Sequence, residues 1–313
     1  MRILVVGAGA LGGYFGGRLL QAGADLTFLV RPRRAAQLAE TGLVIRSPFG
    51  NLDLPAPPVV LSEDLRLPFD LVIVGCKAYD LAATMESFAA AVGPDTAILP
   101  VLNGMRHLDA LSERFGRERV LGGLCIISAV LDDAGRVLHV NDLHALSFGE
   151  LDGGRSPRVD AIEAQFAKAA FASSLSTRVL QAMWEKWVFI ASAAGMTCLL
   201  RASVGDIVQS GGTPLTHALV DECAAIAAHC GFAPSAESIQ RNKAALSQAG
   251  SPMTASMLKD MERGARIEAD QIVSDLLRRA PDEGRGAPLL RVVQAHLLAY
   301  EARRARETAA VTG

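Results

Sequence analysis

Apolar runs of strand length alternate with helix-period segments over the first hundred residues of the chain. The predicted strands are Arg2–Val6, Asp25–Val30, Leu71–Gly75 and Thr96–Leu102, and the predicted helices are Leu11–Ala22 and Leu81–Val92. Because the strands show no polar alternation, both of their faces should be covered by other elements, as in a parallel sheet with helices on either side. The pattern therefore predicts an N-terminal doubly wound α/β domain.

Shorter strands are predicted at two places outside this regular alternation. The stretch Leu43–Leu61 contains four prolines, which favour short and irregular β structure over another βαβ unit. Further along, Gly123–Leu131 and Arg136–Val140 flank a turn and predict an antiparallel hairpin. We expect Leu146–Gly149 to add a third strand to the same meander.

The end of the β-rich part defines a predicted domain boundary. A helix over Pro157–Ala172 and a strand over Leu175–Val179 are expected, and every later periodic segment is helical. We therefore predict an α/β domain over residues 1–178 and an all-α domain over residues 179–313.

Composition narrows the class of protein without identifying its activity. Half of the 313 residues are apolar, a fifth are charged and the net charge is −2, which describes a globular protein rather than a nucleic-acid binder. The five cysteines are widely spaced without a C-x-x-C motif, as expected for reduced thiols in the cytosol. The chain shows neither a signal-peptide pattern nor an apolar run of membrane-spanning length. We expect a cytoplasmic protein without nucleic-acid or membrane partners.

A glycine-rich fingerprint follows the first predicted strand and opens the first predicted helix. It reads Gly7-Ala8-Gly9-Ala10-Leu11-Gly12, and its strand-to-helix context is the one that a Rossmann dinucleotide-binding domain requires. Gly7 suits the tight turn, Gly9 lets the backbone approach a pyrophosphate, and Gly12 permits close packing of helix on strand. The helix N-terminus would then hold the phosphates. A glycine-rich turn without a ligand is the alternative.

The end of the second predicted strand distinguishes between the nicotinamide cofactors. NAD-binding domains usually place an acid there for the ribose hydroxyl, whereas NADP needs a cation for the 2′-phosphate. The segment from Phe28 to Arg34 contains three arginines and no acid. Arg31 is the best candidate because a guanidinium grips a phosphate with two hydrogen bonds. A solvated basic helix start explains Arg33 and Arg34 equally well. We predict NADPH/NADP as the cofactor.

Two further strand ends carry polar side chains that point to the same kind of site. Ligands of doubly wound sheets bind outside the carboxyl ends of the strands. Lys77 offers a cation there, and Asn103 offers an amide for a ribose, a nicotinamide carboxamide or a substrate. A surface lysine and a simple Asn-Gly turn are the alternatives.

These landmarks together resemble the ketopantoate reductase (2-dehydropantoate 2-reductase) family over almost the whole chain. The matching pieces are the glycine fingerprint, Arg31, Lys77-Ala78, Asn103-Gly104-Met105, Trp184-Glu185-Lys186, Ser256-Met257-Leu258-Lys259-Asp260 and Ile267-Glu268-Ala269-Asp270. The resemblance implies an NADP-binding Rossmann domain and a helical substrate and dimerisation domain. It also implies reduction of a small 2-oxo acid, ketopantoate, to pantoate in pantothenate biosynthesis. The apolar C-terminal helices leave room for a homodimer.

The resemblance assigns roles to four positions. Lys186 would be the catalytic lysine, and Glu268 the active-site carboxylate that also contacts the cofactor. Ser256 would bind the substrate, and Asn103 would lie between cofactor and substrate. Chemistry agrees with the lysine, because hydride addition to a ketone generates an alkoxide that needs a proton or a fixed positive charge. A lysine whose stem merely covers its two neighbouring tryptophans is the alternative.

The spacing of Ser256 and Glu268 raises a geometric problem. Twelve residues on one straight helix would separate them by about 18 Å and about 120°. Gly264 interrupts the helical pattern between them and is unfavourable inside a helix. We therefore predict one helix over Thr254–Glu262 and a second that begins near Ala265.

Three positions depart from the family's pattern. Ile190, Ala194 and Met253 stand where the family typically has asparagines that contact the substrate. A polar substrate loses about 1–3 kcal/mol for each partner that is missing. The departures leave open a reductase for a less polar ketone, another 2-oxo acid or an imine, and a non-catalytic NADPH-binding sensor. A retained lysine and carboxylate argue against the sensor.

A metal site is not expected. His139 and His144 flank Asp142, but an H-x4-H spacing on a β meander should not bring the two rings together. The proposed chemistry also requires no metal.

Overall fold

A computed structural model describes residues 1–312 of the chain. They divide into two units, the first comprising Met1–Leu102 and His107–Leu180. The second comprises Asn103–Arg106 and the described residues from Gln181 onward. The first unit is α/β and the described part of the second is helical, so the predicted fold class is confirmed. The assignment of residues 1–178 to cofactor binding and of residues 179–313 to substrate binding and dimerisation stays a prediction.

The first unit combines strands and helices in alternation. The strands are β1 (Arg2–Val6), β2 (Asp25–Leu29), β3 (Leu43–Arg46), β4 (Leu52–Leu54), β5 (Val59–Val60), β6 (Leu71–Val74), β7 (Ala97–Pro100), β8 (Leu121–Leu131), β9 (Val137–Glu150) and β10 (Ala172–Leu175). The helices are α1 (Ala10–Gln21), α2 (Pro32–Thr41), α3 (Leu81–Phe88), α4 (Arg106–Phe115) and α5 (Pro157–Phe166). Short 3-10 helices lie at Ser62–Asp64, Ala78–Asp80, Ala89–Ala91 and Arg117–Arg119.

The main sheet is parallel throughout, with strand order β5-β2-β1-β6-β7. Val6, the last residue of β1, pairs with Leu29 on one side and with Val74 on the other. All residues of β6 and β7 are buried, as the uninterrupted apolar runs predict. The strand order reverses direction at β1, and ligands of such sheets bind at this reversal.

The second sheet corrects the predicted meander. β9 is a single strand of 14 residues that pairs with β8, so the expected separate strand at Leu146–Gly149 is wrong. The pairing shifts register around Ser128, because Ile127 pairs with His144 whereas Ala129 pairs with His139. The extra residues of β9 form a bulge there. Asn141 Oδ1 accepts the Ser128 N–H at 2.8 Å. The polar residue Asn141 therefore supports the bulge within β9 and does not mark a turn between two strands.

The same bulge brings together two histidines that were expected to stay apart. The His139 and His144 ring centroids lie 5.8 Å apart, with Phe49 stacked on His144 at 3.7 Å. The Tyr14 hydroxyl and His144 Nδ1 are 2.7 Å apart. Burial, together with the charges of His139 and Arg18, lowers the pKa of His144. Among residues 1–312, no group of three or more His, Cys, Asp or Glu side chains is arranged to hold a metal ion.

Two predicted boundaries before the helical unit are also corrected. The helix predicted over Pro157–Ala172 ends at Phe166, and Ala172 is the first residue of β10. The strand predicted over Leu175–Val179 is observed as β10, which ends at Leu175. The Ser176 N–H bonds to the Phe148 carbonyl, and Val179 starts the next helix. Val179 is a buried residue of a helix. An apolar residue alone does not distinguish a buried helix from a buried strand, so the strand was predicted too far along the chain.

The second unit consists of helices. They are α6 (Val179–Leu200), α7 (Val204–Gln209), α8 (Thr213–His229), α9 (Ala236–Ala245), α10 (Ser256–Glu262), the π-helix (Asp270–Ser274), α11 (Asp275–Arg278), a 3-10 helix (Pro281–Gly284) and α12 (Pro288–Thr312). None of the described helices has the length and apolar character that a membrane crossing requires.

The predicted break between Ser256 and Glu268 is confirmed, but the second helical segment starts later than expected. Gly264 adopts φ +66° just after α10 ends, a conformation that favours glycine. The π-helix begins at Asp270 and not near Ala265. The intervening residues are held by α12, since the Tyr300 hydroxyl donates to the Ala265 carbonyl at 2.7 Å. Glu301 Oε1 accepts the Ile267 N–H at 2.7 Å.

No disulfide joins any of the five cysteines, all of which lie among the described residues. Cys125, Cys198 and Cys223 are buried, and Cys76 and Cys230 are half-buried. Burial raises the pKa of both Cys198 and Cys223 to about 12. These two thiols therefore stay protonated at neutral pH and act as small apolar residues.

We predict that Glu222 stabilises the start of α12. Its carboxylate oxygens accept the N–H groups of Leu289 and Leu290 at 3.1 and 2.9 Å, which are first-turn amides without intrahelical partners. Glu222→Ala should lower the free energy of unfolding by about 1–2 kcal/mol, measured by urea denaturation. Asp221→Ala is the matched control, because Asp221 is exposed and pairs with Lys243 on the surface. The control should cost at most about 1 kcal/mol, and equal losses in both variants would refute the capping role.

Candidate active site

Backbone contacts shape the glycine-rich loop between β1 and α1. Gly7 adopts φ +91°, and its N–H donates to the Leu29 carbonyl at 2.8 Å. A Cβ at Gly12 would overlap the Gly7 carbonyl oxygen, so both positions require glycine. At Gly9, by contrast, φ is −83° and a Cβ would meet nothing within 4 Å. The loop therefore has open space beside Gly9.

The loop and its surroundings fit a dinucleotide. The first turn of α1 is Ala10-Leu11-Gly12, so it carries no charged side chain, and its amides point out of the helix start. A Cβ at Gly75 would lie 3.5 Å from the Gly12 nitrogen, which places the carboxyl end of β6 beside the loop. A helix N-terminus with room above it, at the reversal of a parallel sheet, suits a pyrophosphate.

Arg31 and Arg34 both lie at the start of α2, in different environments. The Arg31 side chain is 74% exposed, and its Nη2 lies 3.5 Å from an Asp80 carboxylate oxygen. Arg34 is half-buried and donates from Nε to the Ala8 carbonyl at 3.0 Å, inside the glycine-rich loop. Burial lowers the pKa of Arg34. The Arg34 Nη2 group is buried and has no hydrogen-bond partner among the described residues.

Arg34 is thus a site candidate that the sequence alone left undecided. Its spacing of three residues from Arg31 puts both arginines on one side of the helix start, and this spacing was the available signal. The spacing could not show that the Arg34 guanidinium contacts Ala8, because that contact depends on how α2 packs beside the loop.

Lys77 lies where it was expected, after the carboxyl end of β6. It is half-buried and precedes the 3-10 helix Ala78–Asp80, whose last amide donates to the Lys77 carbonyl at 2.9 Å. The strand order puts β2 and β6 on either side of β1. Arg31 and Lys77 therefore follow the two strands that flank the glycine-rich loop.

In the second unit, Lys186 is half-buried on α6 between two tryptophans that belong to the core. Trp184 stacks on Phe232 with ring centroids 5.5 Å apart. Trp187 is fully buried, and its indole N–H donates to the Ile272 carbonyl at 2.9 Å. The guanidinium of Arg279 lies over both indoles, at 6.0 and 5.7 Å. Packing on both sides of Lys186 therefore fixes its position on α6.

One face of α6 carries Lys186 and three further positions at helical spacing, Ile190, Ala194 and Thr197. The loop before α10 joins this face, because the Ala255 N–H lies 3.4 Å from Thr197 Oγ1. The Met253 carbonyl in this loop accepts the Val204 N–H at 2.9 Å. Ser256 is exposed and begins α10 directly after the loop.

The π-helix connects the remaining candidates of this unit. Glu268 is half-buried just before it, and its carbonyl accepts the Ile272 N–H at 3.0 Å. Gln271 Nε2 donates to the Asn103 carbonyl at 3.0 Å. Since Ile272 also binds Trp187, the segment after Glu268 contacts both the Asn103 loop and the helix that carries Lys186.

An ion-pair cluster lies at the first residue of the π-helix. Asp270 pairs with Arg106, and with Arg278 at 2.9 Å. Burial alone would raise the pKa of Asp270, but the two arginines hold it below its usual range. Asp270 therefore stays ionised at neutral pH. Sequence reasoning missed both this cluster and Gln271, since the π-helix has no recognisable pattern of its own.

These two units combine features of one class of protein, the dinucleotide-dependent oxidoreductases. A family model described as "Ketopantoate reductase PanE/ApbA" matches residues 3–153, and its C-terminal counterpart matches residues 178–301. The chain belongs to the ketopantoate reductase family. This confirms the resemblance found in the sequence. The family consists of NADP-dependent oxidoreductases that act on CH–OH groups.

The similar proteins include an oxidoreductase without an assigned substrate and two enzymes with named substrates. The chain is 37% identical over 303 residues to "Uncharacterized oxidoreductase YkpB" of Bacillus subtilis (strain 168), covering 96% of this chain and 99% of that protein. A solved 2-dehydropantoate 2-reductase from Geobacter metallireducens GS-15 has 28% identity and a TM-score of 0.87, with 96% and 99% coverage. D-mandelate dehydrogenase, solved with NADH and anilino(oxo)acetate, shares the fold at 21% identity, a TM-score of 0.87 and 97% and 99% coverage.

We predict that Gly9 and Gly12 respond differently to alanine. Gly9→Ala should leave the melting temperature nearly unchanged, because its backbone suits alanine and the space is open. It should weaken NADPH binding at least about tenfold, since the methyl group occupies the approach of the pyrophosphate. Gly12→Ala should lower the melting temperature through the clash with Gly7. Thermal melting and fluorescence titration with NADPH measure both effects. Unchanged NADPH affinity in Gly9→Ala would contradict the binding role of the loop.

Proposed function

We propose that this protein reduces the ketone of a 2-oxo acid with NADPH, with ketopantoate as the first candidate substrate and pantoate as its product. One observation carries the proposal. The helix with Lys186 and the segment after Glu268 are joined by the hydrogen bond from Trp187 to Ile272. The candidate proton donor and the candidate carboxylate thus belong to two elements in direct contact, and carbonyl reduction needs such a donor beside the developing alkoxide.

The chain's own residues would divide the work as follows. NADPH, when bound, supplies a hydride for the carbonyl carbon. Lys186 Nζ donates a proton to the carbonyl oxygen as negative charge develops there, and water then restores the proton on the lysine. Ser256 and Asn103 bind the substrate, and Glu268 positions substrate and cofactor.

The first unit would hold the cofactor mainly through its loop backbone. The amides from Gly7 to Gly12 suit the pyrophosphate, and Arg31 suits the 2′-phosphate. The ion pair of Arg31 with Asp80 is long and exposed, so it is worth at most about 1 kcal/mol and can yield to a phosphate dianion. Arg34 supports the loop from Ala8, and Lys77 adds a second cation at the neighbouring strand end.

A second candidate substrate is a 2-oxo acid or ketone with a less polar side chain. It is favoured by the apolar residues at Ile190 and Ala194, on the α6 face that begins with Lys186, and by Met253 in the adjoining loop. A hydroxyl buried against these side chains would lack hydrogen-bond partners.

We also propose that the protein works in the cytoplasm. Five cysteines without a disulfide suit a reducing cytoplasm. A role in pantothenate biosynthesis depends on ketopantoate being the substrate. A homodimer formed through the helical domain stays a prediction.

Lys186→Ala tests the mechanism. Turnover should fall about 10²–10⁴-fold, because the alkoxide loses its proton donor, while the affinity for NADPH should stay within about twofold. NADPH oxidation is followed with ketopantoate and with 2-oxo acids that lack its hydroxyl. Lys168→Ala, at an exposed lysine of the first unit, is the control and should keep full activity. Near-normal turnover by Lys186→Ala would refute the mechanism. Tight NADPH binding without turnover of any substrate by the unaltered protein would indicate a sensor.

Arg31→Ala tests the choice of cofactor. The variant should lose at least about tenfold in affinity for NADPH, because a charge-assisted bidentate contact disappears, and should bind NADH as before. Arg46→Ala is the control, since Arg46 is another partly exposed arginine paired with an aspartate. Dissociation constants from fluorescence titration decide the outcome. Equal losses for NADPH and NADH would show that Arg31 does not read the 2′-phosphate.

A further inference from the structure

The π-helix Asp270–Ser274 joins the Asn103 loop to the helix that carries Lys186. π-helices are rare, occur mostly as single widened turns, and are frequent at functional sites. Here the widened turn follows Glu268 almost directly. Its first three residues each bind a different partner, namely Arg106, the Asn103 loop and Trp187.

Gln271 is the residue that holds the Asn103 loop. Its side chain is buried, with a residue exposure of 6%, and Nε2 donates to the Asn103 carbonyl at 3.0 Å. The next loop residue, Gly104, adopts φ +81° against the same glutamine. A Cβ at Gly104 would lie 2.9 Å from the Gln271 carbonyl oxygen and 3.2 Å from Nε2. The loop therefore packs on both the backbone and the side chain of Gln271.

The neighbouring residue extends this contact to the helix of the candidate lysine. The Ile272 carbonyl accepts the indole N–H of Trp187, which directly follows Lys186 in the sequence. Asn103 and Lys186 are thus connected through two consecutive residues of one helical turn. A shift of Gln271 would move Asn103 relative to Lys186, and misplacement by about 1 Å can cost a reaction about 10²-fold.

We infer that Gln271 is a positioning residue that sets the Asn103 amide relative to Lys186. This inference rests on the proposed function, in which Asn103 orients the reactants and Lys186 protonates the product oxygen. Gln271 acts through the Asn103 backbone and does not itself touch the substrate.

Gln271→Met is the first test, because methionine keeps the size of the side chain and removes the donor. We expect turnover to fall about 10–100-fold while the dissociation constant for NADPH changes less than about threefold. The deuterium isotope effect on turnover with 4-deuterated NADPH should rise as hydride transfer becomes limiting. In the cofactor-free protein, the amides of Asn103 and Gly104 should exchange hydrogen faster. Gln240→Met, at an exposed glutamine of α9, should change none of these quantities.

A double-mutant cycle with Asn103→Ala separates positioning from general damage. If Gln271 acts through Asn103, the double variant should be no slower than Asn103→Ala alone. Fully additive losses would overturn the inference and leave the proposed function intact. Full activity of Asn103→Ala would overturn both the role of Asn103 and the inference.

Should Gln271→Met fail to fold, Gly104→Ala perturbs the same contact from the loop and should lower turnover with unchanged NADPH affinity. Normal turnover by that variant would also overturn the inference.

Discussion

The hydrogen bond from the Trp187 indole to the Ile272 carbonyl is the constraint that ties α6 to the π-helix, and the candidate site of the helical unit depends on it. A buried indole N–H without a partner costs about 1–3 kcal/mol, so the indole must meet an acceptor in the core. The acceptor lies in the widened turn after Glu268, and Trp187 directly follows Lys186. Satisfying one buried donor therefore also fixes the candidate lysine relative to the candidate carboxylate.

The first unit obtains its site geometry from close backbone approach. Gly7 and Gly12 nearly touch, and the Gly7 amide bonds to the end of β2. The start of α1 thus presents amides without a charged side chain in its first turn, as an anionic ligand requires. Arg34, in the first turn of α2, adds a guanidinium that donates a hydrogen bond to the Ala8 carbonyl of the loop.

Local features of this chain were predictable because short-range physics determines them. The buried strands β1, β6 and β7 appear as continuous apolar runs, and the glycine fingerprint lies at a strand-to-helix turn. The break at Gly264 follows from the poor helix propensity of glycine. The missed features involve partners far apart in sequence. The bulge in β9 depends on Asn141 reaching the Ser128 amide of another strand, and it brings His139 and His144 together.

The sequence by itself determined the α/β and helical parts, the dinucleotide-type loop and the family, because periodicity and motif spacing are properties of neighbouring residues. It also identified Lys186, Glu268, Ser256 and Asn103 as candidates. Only the tertiary structure decided that Arg34 contacts the loop at Ala8 and that Gln271 holds the Asn103 loop. Those contacts join residues that are 26 and 168 positions apart, and their geometry depends on how whole elements pack.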